Sequence, residues 1–199
     1  MGEPIIRFFW DIGSTNTYFA FHLLRPLAAK YGARIEYVPF NLGYVFRHHG
    51  YALTQEPRAK MKNRKVDLMR WAKRYDLAFQ IPDQFPIKTS RVLRGALVAR
   101  EAGCEEPYME ALFRRYWEEN DASIVDYPGL ASTVSQLGMD ADGFAEAADS
   151  ERIRDQSERL IENALAGGIF GAPTMQIEDE IYWGKDRFEF VEDHLKSLA

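Results

Sequence analysis

The chain has little of what would staple or anchor it. Of its 199 residues only Cys104 is a cysteine, so an internal disulfide and a dithiol redox pair are both excluded. No stretch approaches the roughly 18 consecutive apolar residues of a membrane span. The opening Met-Gly-Glu-Pro followed by IIRFFWDI lacks the basic leader and apolar core of a signal peptide, so a cytoplasmic, reducing location is expected. Positive charge is not in excess either: 25 Lys and Arg face 30 Asp and Glu, a formal net charge of −5. A general nucleic-acid binder needs a basic domain, so no nucleic-acid partner is expected. No GxSxG, Walker or GxGxxG motif occurs. His48-His49 has no third ligand at suitable spacing, so no metal site is expected. The hydrophobic content of 46% and aromatic content of 14% fit one globular domain, or one domain carrying a large insertion.

The modest net charge conceals an uneven distribution. Residues 45–100 carry 13 cationic and 4 anionic side chains, whereas residues 101–199 carry 8 and 23. The plainer reading is two helical outer faces that attract each other. The alternative is that the basic block raises the encounter rate of a small anion.

Hydrophobic periodicity divides the chain into three parts. Residues 5–11 (IIRFFWD) read as a buried strand ending at Gly13. Ser14-Thr15-Asn16 supply helix-capping side chains before a face of Ala20, Leu24, Leu27 and Tyr31, and Gly32 ends that helix. Residues 34–40 form a second strand, and strand–helix–strand in so short a span predicts a parallel pair. From about 56 to 165 the pattern is almost wholly helical, with Asp140 and Ser150 as caps and Gly167-Gly168 as a stop. Strands at 174–177 and 181–183 then flank the acidic turn 178–180, and a last helix is expected from 184–186 onward. The order βαβ, helices, ββα predicts an α/β thioredoxin-like fold with a large inserted all-helical domain. Residues 1–50 and 167–199 form the thioredoxin-like part, and 51–166 the insertion. The aromatic helix 108–117 is read as either a dimer surface or core.

Three places could carry chemistry. Ser14 stands where the first strand meets the first helix; strand ends collect ligands in open α/β sheets, and the helix N-terminus favours an anion. A serine there cannot exchange disulfides, but it can donate a hydrogen bond to a bound thiolate. A simple N-cap is the plainer local reading. Pro173 opens a strand after Gly171-Ala172. A cis Ala172–Pro173 bond would leave the Ala172 backbone free to pair with an extended ligand, although an ordinary trans turn is the commoner outcome. In Trp183-Gly184-Lys185-Asp186, Asp186 reads as a helix cap or as a carboxylate for a ligand amino group. Cys104 reads as an incidental thiol.

These signals occur together and in order. The chain resembles the 2-hydroxychromene-2-carboxylate isomerases and kappa-class glutathione transferases of the DsbA-like thioredoxin superfamily. The resemblance rests on FFWDIGSTNTYFA at 8–20, KVDLMRWAKRY at 65–75, the Phe85-Pro86 pair and GGIFGAPTMQIEDEIYWGKDR at 167–187. It implies glutathione as cofactor, with Ser14 as the catalytic serine set against its sulfur. It implies a cis Pro173, with Ala172 offering its backbone to the cysteinyl unit. It further implies that the Trp183–Gly184–Lys185–Asp186 turn holds the γ-glutamyl end, and it places Tyr44, Gly50 and Phe85 on the substrate side. The implied reaction is a reversible isomerisation through thiolate addition to a small aromatic anionic substrate, by a homodimer. Thr15, Asn16 and Lys88 depart from the family pattern, and all three lie toward the substrate. Two other readings stand beside it: a transferase conjugating electrophiles, and a non-catalytic thioredoxin-like module holding a peptide at Ala172-Pro173. Retention of both Ser14 and Asp186 favours an enzyme over the module.

Overall fold

The computed structural model describes residues 2–52 and 56–198. Four strands form one sheet: β1 (Ile5–Trp10), β2 (Arg34–Pro39), β3 (Thr174–Ile177) and β4 (Glu180–Trp183), in the order β2-β1-β3-β4. β1 and β2 run parallel, while β3 lies antiparallel to β1 and forms a hairpin with β4. Between β1 and β2 runs α1 (Thr15–Lys30), the crossover that a parallel pair needs. The thioredoxin-like βαβ and ββα halves expected from the sequence are therefore joined through β1 and β3.

The long middle segment is helical. It comprises α2 (Leu42–His48), α3 (Arg58–Tyr75), α4 (Ser90–Glu101), α5 (Glu105–Trp117), a 3-10 turn (Ala122–Val125), α6 (Tyr127–Gln136), α7 (Ala141–Asp149) and α8 (Glu151–Ala166). Asp140 and Ser150 cap α7 and α8 through their side chains, as their sequence positions predict. Gly168, at φ +84°, ends α8 in the left-handed region that glycine enters without steric cost. The final helix, α9 (Phe188–Ser197), starts later than the sequence suggests. Its N-cap position is Arg187 and no side chain caps it, so Asp186 is not a helix cap.

Alternation along β1 sends its side chains to two cores. Ile6, Phe8 and Trp10 enter the larger one, with Phe19, Phe21 and Leu24 of α1 and the buried face of α5. Phe9 faces the other way, against Val38, Phe40, Val45 and Ile161. Tyr108, Met109, Leu112, Phe113, Tyr116 and Trp117 are all fully buried. The aromatic helix is therefore core, and the alternative of a dimer surface there is excluded. Phe113 stacks on Phe21 at 4.9 Å and meets Trp10 at 5.9 Å. Such ring pairs contribute about 0.5–1.5 kcal/mol each beyond area burial, and these two fasten the insertion to the sheet and to α1.

Candidate functional site

The loop from β1 to α1 is organised by a buried carboxylate. Asp11 is 1% exposed. It accepts hydrogen bonds from the Gly13 N–H at 2.8 Å, the Leu42 N–H at 2.8 Å and the Thr89 hydroxyl at 3.0 Å. Burial pushes its pKa up, and those three donors oppose the shift. One side chain thus ties together the Ser14 loop, the start of α2 and the segment entering α4. The Trp117 indole adds a second tie, donating to the Ile12 carbonyl at 2.9 Å. No local pattern announces either link, because the partners lie up to 105 residues apart.

Ser14 then takes two roles at once. Its Oγ accepts from the Thr17 N–H at 3.3 Å, so it does cap α1. Its hydroxyl also donates to the Ala172 carbonyl, 3.2 Å away across the fold. The Ala172–Pro173 bond is cis, and so is Phe85–Pro86. The Ala172 carbonyl is therefore engaged by Ser14 rather than free, which corrects the sequence expectation for that atom. The Ala172 N–H, on a residue 8% exposed, has no hydrogen-bond acceptor among the described residues.

The 183–186 turn reaches the same place. The Gly184 N–H donates to the Pro173 carbonyl at 2.9 Å, and Gly184 holds φ +108°. Trp183 packs against Phe170 at 5.4 Å. Its indole also leaves no room beside Gly171, where a Cβ would stand 2.8 Å from Nε1. Lys185 turns toward α3, 3.6 Å from Asp67 and 4.7 Å from the Trp71 ring centre. Asp186 is exposed and pairs with Arg187 at 3.0 Å. The fold thus links Ser14, Ala172, Pro173 and Gly184 in a chain of contacts. Trp183, Lys185 and Asp186 flank that chain.

The residues expected on the substrate side are less closely gathered. Phe85 rests on Trp117 at 5.8 Å, the residue whose indole holds Ile12. Tyr44 sits in the first turn of α2, whose start is held by Asp11. Gly50 lies beyond the far end of α2 at φ +63° and is exposed. His48 and His49 share only an edge-on ring contact, and no group of three metal-ligating side chains occurs among the described residues. The Cys104 thiol is pushed up by burial, away from thiolate character. Sequence reasoning missed Asp11, Thr89 and Trp117 as parts of this region. The one available signal was an aspartate at the end of an apolar strand.

Comparison with known proteins identifies the fold and the family. The DSBA-like thioredoxin domain model covers residues 5–196. A 2-hydroxychromene-2-carboxylate isomerase of Sphingobium xenophagum is 30% identical over 192 residues, covering 96% of this chain and 97% of its own. A glutathione S-transferase kappa 2 of Caenorhabditis elegans is 24% identical, covering 97% and 92%. The solved structure of a 2-hydroxychromene-2-carboxylate isomerase superposes with a TM-score of 0.85 at 27% identity, covering 98% of this chain and 95% of that one. The chain belongs to the DsbA-like thioredoxin-domain family, in the group that includes the 2-hydroxychromene-2-carboxylate isomerases and the kappa-class glutathione transferases.

Proposed function

We propose that this protein is a glutathione-dependent isomerase of 2-hydroxychromene-2-carboxylate or a close relative, giving the trans-o-hydroxybenzylidenepyruvate type of product. The observation that carries the reading is the 3.2 Å contact from the Ser14 hydroxyl to the Ala172 carbonyl, beside an Ala172 N–H without an acceptor. That pairing suits a peptide-like thiol, which needs a backbone partner for its cysteinyl unit and a donor for its sulfur.

Ala172 would hold the cysteinyl backbone, and Gly184 and Asp186 the γ-glutamyl end. When bound, glutathione supplies the nucleophilic thiolate whose reversible addition to the conjugated substrate lets the former double bond rotate. Ser14 turns its hydroxyl from the Ala172 carbonyl to the sulfur, and the partial positive charge at the start of α1 favours the anion. The Ser14 loop, fixed by Asp11 and Trp117, keeps this donor in place without reorganisation. Tyr44, Gly50 and Phe85 would border the substrate.

A second reading, a kappa-like transferase, draws on the 24% identical kappa relative and uses the same Ser14. One assay separates them. With glutathione present, turnover of 2-hydroxychromene-2-carboxylate and inactivity toward aryl halides support the isomerase; the reverse pattern supports the transferase. Activity on neither, together with no glutathione binding at millimolar concentration, removes both. A homodimer in the cytoplasm completes the proposal, and sedimentation at micromolar concentration checks its assembly.

A further inference from the structure

Helix α3 is strongly cationic, and its one carboxylate reaches out of the insertion to the hairpin. Its 18 residues include eight Lys and Arg but only Asp67 as an anion. Lys60 and Arg64 pair with Glu56, just ahead of the helix. Asp67 instead lies 3.6 Å from Lys185 in the turn after β4. This is the only ion pair between α3 and residues 167–199 among the described residues. Only Leu68 and Ala72 of α3 are fully buried, so the helix is otherwise lightly held.

Trp71 stands four residues on from Asp67 and shares its helix face. The Lys185 Nζ lies 4.7 Å from the centre of the Trp71 ring. That ring is itself fixed, packed against the larger core and stacked on Tyr75 at 5.5 Å with 19° between the planes. The Lys185 side chain is only 12% exposed, although an ammonium is strongly hydrated. The aromatic face and the carboxylate together replace the water it gives up. Both neighbours of Lys185 belong to the candidate site. The Gly184 N–H donates to the Pro173 carbonyl at 2.9 Å. The Asp186 carboxylate leans back over Gly184, where a Cβ would stand 2.9 Å from its Oδ1. The turn is thus pinned to the sheet at Gly184 and to the insertion at Lys185, and Asp186 follows directly.

We propose that Asp67 and Trp71 are positioning residues for the γ-glutamyl end of the ligand: they clamp Lys185, and the clamped turn holds the Asp186 carboxylate where it meets the ligand's α-amino group. This rests on the proposed binding of glutathione with Asp186 at its γ-glutamyl end. Asp67 acts by its charge and Trp71 by its aromatic face, so both work only through the Lys185 cation. A helix of the insertion thereby sets the selectivity of a turn in the thioredoxin-like part.

Calorimetric titration of the full chain tests this, with glutathione and with cysteinylglycine, which lacks the γ-glutamyl unit. The ratio of the two dissociation constants isolates recognition of that unit. Asp186→Asn should shrink the ratio at least about tenfold, as loss of a charge-assisted contact predicts. Asp67→Asn and Trp71→Leu should each shrink it about threefold or more, weakening glutathione while leaving cysteinylglycine within about twofold. In a Lys185→Met background both substitutions should lose that effect, whereas a merely structural role would persist there. Thermal unfolding checks that each variant folds. Asp67 is 42% exposed, so Asp67→Asn decides the matter should Trp71→Leu fail to fold. The clamp is overturned, with the glutathione reading intact, if Asp186→Asn shrinks the ratio but a folded Asp67→Asn or Trp71→Leu does not. It is overturned in the same way if their effects persist in Lys185→Met. An unaltered ratio in Asp186→Asn, or no glutathione binding by the native chain at millimolar concentration, overturns that reading and the clamp with it.

Discussion

The two flanks of the Ser14 site are built differently. On one side Ala172, Pro173, Gly184 and Trp183 belong to the sheet and its hairpin, and backbone hydrogen bonds and close packing fix their positions. On the other side, where we propose that substrate lies, Tyr44, Gly50 and Phe85 sit on a seven-residue helix, the stretch beyond it and a long loop. Backbone-built recognition tolerates sequence drift, because the ladder supplies the groups whatever the side chains are. Loop-borne side chains vary more freely.

The comparison can be broken most severely at the residue that joins the flanks. Asp11→Asn places an amide where three donors converge, so at least one donor loses its acceptor. Such a buried loss costs about 1–3 kcal/mol, and urea unfolding should show it. Because Asp11 holds Gly13, Leu42 and Thr89 together, glutathione affinity and turnover should fall as one. Unchanged stability would mean that the two flanks are not joined through this carboxylate.

A change confined to the sheet flank should act more selectively. In Gly171→Ala the new Cβ meets the Trp183 indole at 2.8 Å, and the ring must move. Overpacking of this kind costs about 1–3 kcal/mol; the exposure of Trp183 puts the expected loss at the lower end. Glutathione binding should weaken, with a shift in tryptophan fluorescence, and the KM for a conjugated substrate should change little. The smallest effect is expected on the loop flank. Phe85→Leu should change stability by less than about 1 kcal/mol and leave glutathione affinity intact while altering the KM for substrate. Equal effects of Gly171→Ala and Phe85→Leu on glutathione binding would erase the distinction between the flanks.

Legibility in the sequence follows the same division. Ser14, Pro173 and Gly184 stand at element boundaries, where capping and turn chemistry are local and leave a trace in neighbouring residues. The order of strands and helices was readable for the same reason. The short helix α2 was not, since seven residues give too little periodicity; its only mark was Asn41, whose side chain accepts from the Tyr44 N–H. Asp11 and Trp117 work through partners 31 and 78 positions away from Asp11, and 105 from Trp117, and no local pattern encodes such distances. The buried face of α5 shows the limit of composition: an aromatic helix reads alike as core or as interface until its neighbours are known.

The central proposal is that this fold, with Ser14 rather than a cysteine where the first strand meets the first helix, stabilises a thiolate brought by another molecule. The most direct test is the ultraviolet absorbance of the thiolate while glutathione is titrated into the protein across pH 5 to 9. The account predicts a bound thiolate already present near neutral pH, well below the range of about 8–9 for a free thiol. In Ser14→Ala it should appear only at distinctly higher pH, with binding itself retained through Ala172 and Gly184. A bound glutathione that ionises like the free thiol, or one whose ionisation is the same in Ser14→Ala, would contradict the account.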